Sequence, residues 1–375
     1  MMRHFVLIIF SIILYLLPYF YPYIFFWTAF PAVILLCALI NMHQKKSITT
    51  ACFLALGVFW CLMVVGIHLS WFWKLLFVYG KSCRILFGCI TLGYFSLIMA
   101  VPFLLVVFFK DYKNYSVALF LITFAGSLFY ISHRSFLIFG KSEGYFLFNP
   151  LLPWMTLVPE QKAASNNGII IASLDPSKEN GIQRAHQLST CIAHHVWDKK
   201  KSCLIIFPES TFPYNLEEYQ EFFAAWCDCH DDIHLIIGAH KQEGNATFNC
   251  AYHIHNGKIK HVYKKQHLVP FFETLPALFS EKGLGEVFTP KCKTFSYPEQ
   301  NNSDIFLINE KKYQLFICSE LYQDAKSVEK NMPILFIGNN SWFMMKYAQV
   351  LVRLQEKYFA WRNGCEIISS VYQSA

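Results

Sequence analysis

Apolar and polar positions follow two regimes along this chain, and the change falls near residue 135. Before it, long apolar runs alternate with short polar breaks. A helix needs about 20 apolar residues to cross a bilayer. The run over residues 5–40 is too long for one such helix and is broken by Pro18, Pro22 and Pro31. It predicts two spans, at 5–20 and 23–41, joined through LPYFYPY with its tyrosines at headgroup depth. Further runs predict spans at 49–67, 85–109 and 116–132, which makes five. No small-residue cleavage site follows the first run, so a cleaved leader is not the reading. Segment 135–167, with GYFLFNPLLPW, is apolar but cut by Gly and Pro, and reads as a linker lying along a membrane surface.

After residue 168 the period shortens. GIIIASLD, SCLIIFPES, IHLIIGAHK, YQLFICSE, ILFIGNNS and EIISSVY read as strands, and FNCAYHIHNGKIKHVYKKQH as a hairpin turning at Asn256-Gly257. SKENGIQRAHQLSTCIAHHVWDKKK, LEEYQEFFAAWCDC and MKYAQVLVRLQEKYFAWRNG read as helices. The expected organisation is a helical membrane domain over 1–134, the linker over 135–167, and a layered α/β domain over 168–375. His253, His255 and His261 alternate along the hairpin, which predicts one exposed histidine face.

Composition supports the division. The chain has 375 residues, 55% hydrophobic, with 37 phenylalanines, high for a wholly soluble enzyme. The net charge of +7 is modest, and no Arg-rich face with interleaved aromatics is present, which argues against a nucleic-acid partner. Lys45, Lys46, Lys110 and Lys113 share a side with Arg3 in the five-span arrangement. The positive-inside bias then puts the amino terminus in the cytoplasm and everything after residue 135 outside. Lys74, Lys81 and Arg84 fall on the outer side, and a sixth span through 71–84 would reverse the orientation. Thirteen cysteines form no regular disulfide framework. Cys227, Cys229, His230 and His234 have ligand-like spacing, but no second pair follows, so no metal site is expected.

The chemistry is carried by three strand ends. FPES carries Glu209, YKKQHLVPFFE holds Lys265 and Glu273, and ICSE offers Cys318 and Glu320. An acid, a lysine and a thiol presented together are the parts of a covalent acyl-transfer site that needs no cofactor. A thiol with an ordinary pKa of about 8.5 needs a base or a cation to react at neutral pH. Taken singly, each residue has a plainer reading. Glu209 could cap a loop, Lys264 and Lys265 could be a solvated hairpin end, and Cys318 could be a core cysteine.

The motifs FPES, YKKQHLVPFFE, ICSE and NNSWF, in this order, resemble the nitrilase (carbon-nitrogen hydrolase) superfamily. Within it the chain is most similar to the apolipoprotein N-acyltransferases, and TraB-type conjugal-transfer proteins share the layout. The resemblance implies an αββα sandwich behind a multi-span helical domain. It implies Glu209 as general base, Lys265 as stabiliser of the tetrahedral intermediate, Cys318 as nucleophile, and Glu273 and Glu320 as supporting acids. Phe271, Phe272, Ser319 and Trp342 would line the substrate site. The implied donor is phospholipid, the acceptor a lipoprotein N-terminus or another amine, and the location a bacterial inner membrane with the catalytic domain on the periplasmic side. The chain departs from the N-acyltransferase pattern at Phe207, Phe272 and Ser319. The pattern also continues past the position of Ala375, with further strands and a last membrane helix. A conjugation-associated protein with another substrate, and a scaffold without activity, are the alternatives these departures leave open.

Overall fold

A computed structural model describes residues 2–20, 25–68, 81–109, 115–134, 169–174, 180–196, 203–222, 233–269, 273–274, 295–298, 303–322, 328–329, 331–340 and 346–372. The predicted linker over 135–167 lies outside them. The chain divides into two compact units, one helical and one built on two sheets.

The helical unit contains α1 (Met2–Phe20), α2 (Phe25–Gln44), α3 (Thr50–His68), α4 (Lys81–Phe108) and α5 (Ser116–Arg134). Their apolar sequences give almost no polar stripe, so packing is set by small and aromatic residues. Gly57 on α3 lets the Phe103 ring of α4 approach, and a Cβ there would lie 2.7 Å from that ring. Trp60, Phe103, Phe120 and Phe124 form one aromatic cluster. Two buried polar groups are satisfied in series: the Trp60 indole donates to Ser11 Oγ at 3.1 Å, and that hydroxyl donates to the Ala32 carbonyl at 3.0 Å. Large apolar side chains face outward, among them Phe10, Leu97, Ile122 and Phe108, the last 77% exposed. Among the described residues one stretch, Gly88–Phe108 of α4, is long and apolar enough to cross a membrane; the other helices hold the shorter apolar stretches His4–Leu17, Pro31–Gln44, Thr50–Gly66 and Ser116–Ser127.

The second unit is a sandwich. Its first sheet orders β1 (Ile169–Ile171), β2 (Cys203–Ile206), β4 (Ile233–Glu243), β5 (Ala246–His255) and β6 (Lys258–Lys264), with β3 (Phe212–Asn215) paired to β4. The second orders β10 (Ile367–Tyr372), β9 (Ile334–Asn339), β8 (Lys311–Ile317) and β7 (Ile305–Ile308). Strands buried on both sides read as continuous apolar runs, and successive side chains go to opposite faces. Cys203 and Ile205 of β2 join a core with Ala185, Leu188 and Ile192 of α6 (Gly181–Val196). Leu204 and Ile206 pack between the sheets against Leu315, Ile317, Leu335 and Ile337. On the far side, Phe316 and Phe336 lie under Phe359 of α7 (Lys346–Asn363). Within this unit the layers therefore run helix, sheet, sheet, with the Phe359–Asn363 end of α7 on the outer face of the second sheet. At the start of α6, Asn180 and Gln183 exchange side-chain to backbone bonds as a capping box.

Three sequence expectations need correction. Strands β3 and β7 were hidden in FPYN and IFLI, too short and too irregular in period to register. The segment LEEYQEFFAAWCDC opens as a 3-10 turn, Leu216–Tyr219, passes into α-helix at residues 220–222, and beyond that lies outside the described residues. The histidine face is exposed only in part: His255 and His261 are half-buried. His253 is buried, 4% exposed, because it points between the sheets at the end where His234 enters. The two rings share a 2.9 Å bond, His234 stacks on His255 at 4.0 Å, and its other nitrogen meets Asn309 at 2.7 Å.

Acid is expected to loosen this end. Burial first, then the facing His234, His255, His261 and Lys260, push His253 from 6.5 down to about 3. The folded state thus holds the ring neutral. Its stabilising share is complete above 6.5 and is lost as pH falls toward 3. Between pH 7 and pH 4.5 that loss is about 2–3 kcal/mol. Thermal unfolding at the two pH values measures it. The difference should shrink in His253→Gln, and an unchanged difference would show that the ring does not set it.

Candidate active site

The site lies between the sheets, where β2, β6 and β8 end. Each strand delivers one residue within three positions of its end. Glu209 follows β2 in a tight turn that needs a bare backbone beside it. At Gly238 of β4, a Cβ would lie 2.3 Å from the Pro208 carbonyl and 2.6 Å from the Glu209 Cα. Arg184 of α6, itself buried, donates to the Thr211 carbonyl at 2.7 Å, and Thr211 Oγ1 donates back to the Pro208 carbonyl at 2.8 Å. The turn is thus held from both sides.

Lys265 reaches the interior through a bulge. Asn256-Gly257 alone would place Asn249 opposite Lys264. The register shifts between His253 and Ile254, so that Lys265 N–H bonds the Asn249 carbonyl at 2.8 Å instead. Side chains beyond a bulge change face. Val262 accordingly joins the α6 side, Tyr263 the space between the sheets, Lys264 goes outward to Glu243, and Lys265 goes inward. At 1% exposure, Lys265 is among the largest fully buried side chains.

Its ammonium is held by two acids, Glu209 Oε1 at 3.0 Å and Glu273 Oε1 at 2.9 Å. Asn249 Nδ2 donates to the same two oxygens, at 2.8 and 2.9 Å. Glu273 is anchored by the Val269 amide, which donates to Oε2 at 2.7 Å. Burial would lower the Lys265 value, but Glu209, Glu273 and Cys318 outweigh it and hold the ammonium well above its ordinary range. Burial and the neighbouring Glu209 raise Glu273, against the pull of Lys265.

Cys318 begins a 3-10 turn, Cys318–Tyr322, with φ of 47°. That left-handed conformation is costly for a residue with a Cβ. Glu320, completely buried, enforces it by accepting the Ile317 amide at 2.9 Å across the turn. The other Glu320 oxygen accepts Tyr263 Oη at 2.7 Å and the Gln266 amide at 2.8 Å, and Ser319 Oγ donates to the His267 carbonyl at 2.8 Å. The cysteine turn and the lysine loop are therefore one latched piece. Burial, Glu209 and Glu273 push the thiol up, while Lys265 and a backbone bond from Asn339 pull it down. At rest the sulfur is thus held as a thiol, with Glu209 and Lys265 pulling it in opposite directions.

The Carbon-nitrogen hydrolase family profile matches residues 163–371, more than half of the chain. The chain belongs to the carbon-nitrogen hydrolase family. The curated relatives that the chain matches are apolipoprotein N-acyltransferases. That of Helicobacter hepaticus is 28% identical over 200 residues, 49% of this chain and 48% of the relative. That of Aquifex aeolicus is 24% identical over 261 residues, 64% of this chain and 58% of the relative. The chain spans about half the length of the curated relatives it matches. Among solved structures, a CN-hydrolase superfamily protein from Xanthomonas campestris aligns with a TM-score of 0.41 at 10% identity, covering 55% of this chain and 76% of that one.

Of the residues read from the sequence, Glu209, Lys265 and Glu273 meet in one ion cluster of the carbon-nitrogen hydrolase domain. Cys318 lies within their electrostatic reach. Glu320 and Ser319 serve the latch. Phe271, Phe272 and Trp342 lie outside the described residues, as do Cys227, Cys229 and His230. Asn249, Tyr263 and Gly238 were not read from the sequence. Asn249 could have been found only by knowing the bulge, and Gly238 only by knowing how close the Glu209 turn comes to β4.

Gly238 gives a direct test of the geometry. Gly238→Ala is expected to push the Glu209 turn outward and slow Cys318 acylation about tenfold or more, at a stability cost of about 1–3 kcal/mol. Acylation time courses on the purified variant measure this, and a wild-type rate would mean that the turn's position does not matter.

Proposed function

We propose that this protein is a membrane-bound acyltransferase that moves an acyl chain from a phospholipid ester to an amine through a thioester at Cys318. Glu209 takes the thiol proton as the sulfur attacks the ester carbonyl, and Lys265 steadies the oxyanion that forms. The alcohol leaves with that proton and the acyl chain stays on sulfur. An amine, such as the N-terminus of a lipoprotein, then attacks the thioester and frees the thiol. The observation that carries the reading is the buried Lys265 between two carboxylates, a charge arrangement too costly to keep as mere packing. Similarity to apolipoprotein N-acyltransferases supports the substrate class.

In this reading, residues 1–134 form the membrane domain and 168–375 the catalytic domain. All five helices of the first unit cross or enter the bilayer. The outward Phe10, Leu97, Phe108 and Ile122 side chains support this, since lipid is the solvent that tolerates them. The catalytic domain would face the outer side of a bacterial inner membrane. Incubating the detergent-solubilised protein with a phospholipid and mapping the adduct by mass spectrometry tests the reading. An acyl group is expected on the Cys318 peptide, unaffected by Cys365→Ala, and released to a diacylated lipopeptide amine. Intact folded protein that never acquires the Cys318 adduct would sink the proposal.

A further inference from the structure

The two acids around Lys265 pose an electrostatic problem that one ammonium does not solve. Two buried carboxylates sharing a site tend to hold a proton between them, because the second negative charge is costly to ionise. A base that already shares a proton takes up another poorly. Asn249, 2% exposed, sits where this matters. Its Nδ2 donates to Glu209 Oε1 at 2.8 Å and Glu273 Oε1 at 2.9 Å, the same oxygens that Lys265 contacts at 3.0 and 2.9 Å. Two donors and two acceptors thus close a ring. An amide can do this with no charge of its own, because its NH2 group offers two hydrogens.

The ring also distinguishes the oxygens of Glu209. Oε1 accepts from both Lys265 and Asn249, while among the described residues Oε2 accepts from none. Asn249 is placed by the bulge in β6, which brings it across from Lys265 rather than Lys264. Its own Oδ1 is buried without a hydrogen-bond partner. Leaving a buried acceptor unmatched costs free energy. The cost is borne at a position where the donor side of the amide faces both acids.

We propose that Asn249 is a positioning residue of this site: it holds the carboxylates of Glu209 and Glu273 side by side against a shared proton and reserves Glu209 Oε2 as the atom that takes the Cys318 proton. This rests on reading Glu209 as the base for Cys318. The S–H bond of Cys318 breaks as an O–H bond forms at Oε2, and the sulfur lone pair becomes the nucleophile. With Asn249 in place, both Oε1 atoms already accept from N–H donors, which disfavours a proton shared between the two acids. Without it, the two acids share a proton, and the base is ready only at higher pH.

Alkylation of Cys318 by iodoacetamide tests this without any acyl donor. The full chain in detergent micelles is treated between pH 4.5 and 9, and the Cys318 peptide is quantified by mass spectrometry. In Asn249→Asp, which keeps the shape but adds a third acid, the acid limb of the rate should move up by about one pH unit or more. That is about a tenfold slower rate at a pH on the limb. Asn249→Ala should move it the same way. Asn249→Asp combined with Glu273→Gln exchanges the acid and the amide across the ring, and should bring the limb back. A limb that stays in place in both single variants, even if rates fall uniformly, overturns the proposal; so does a double variant that shows no return. If phospholipid never acylates wild-type Cys318 while the alkylation limb behaves as described, the acyl-transfer reading fails and the role of Asn249 stands.

Discussion

Lys265→Met should abolish acylation of Cys318 and destabilise the domain by about 3–5 kcal/mol, the cost of leaving buried charge without its partner. The side chain is wholly enclosed and meets both Glu209 and Glu273. Methionine matches its length and fits the space, so the loss is of charge and not of volume. The pH dependence identifies the cause. In the wild type, Glu273 already sits above its ordinary range despite Lys265. With the ammonium gone, the pull that lowers Glu273 is lost, and the folded state gains stability when Glu273 takes a proton. The variant should therefore lie furthest below the wild type at pH 8 and approach it at pH 5. Chemical denaturation of both proteins at the two pH values gives the difference directly, and the shared acid loss at His253 cancels in it. A gap that does not change with pH would mean that Lys265 contributes packing alone. Lys265→Arg should recover stability in part and activity hardly at all. A planar fork cannot occupy a point between two carboxylates and an oxyanion as an ammonium does.

What the sequence made legible follows from which forces act locally. The five apolar runs predicted membrane spans over 5–20, 23–41, 49–67, 85–109 and 116–132; helices stand over Met2–Phe20, Phe25–Gln44, Thr50–His68, Lys81–Phe108 and Ser116–Arg134, and among the described residues Gly88–Phe108 alone is long and apolar enough to cross. Continuous apolar content fixes such elements without tertiary information. The double-sided strands β2, β4, β5, β8 and β9 were visible for the same reason. The site was legible where a polar residue ended an apolar strand, as at Glu209 and Cys318, because a strand end is where a side chain can leave the core. It was not legible where it depends on register. Choosing Lys265 over Lys264 needed the family resemblance, since the bulge that sends one inward and the other to Glu243 leaves no mark in composition. The histidine error has the same root. Alternation shows that His253 and His261 share a face, and only the second sheet decides whether that face meets water.

The second large effect is expected at Glu320, far from any bond made or broken. Its carboxylate accepts Tyr263 Oη at 2.7 Å, the Gln266 amide at 2.8 Å and the Ile317 amide at 2.9 Å, in a site with no access to water. Glu320→Ala strands three buried donors, each costing about 1–3 kcal/mol when unpaired. Relaxation recovers part of that, so a net loss of about 3–5 kcal/mol is expected. The turn would also lose the bond that holds Cys318 in its left-handed conformation, and acylation should fall to background even in protein that remains folded. Glu320→Gln separates the two oxygens. Its carbonyl can still serve Tyr263 and Gln266, but its NH2 then faces the Ile317 N–H, donor against donor. Stability should be intermediate, and acylation should remain low, because Oε2 is the oxygen that sets the cysteine turn. Urea denaturation gives the stability order, and mass spectrometry of the Cys318 adduct gives the activity order. If Glu320→Gln acylates as fast as wild type, the cysteine turn is held by something other than this carboxylate.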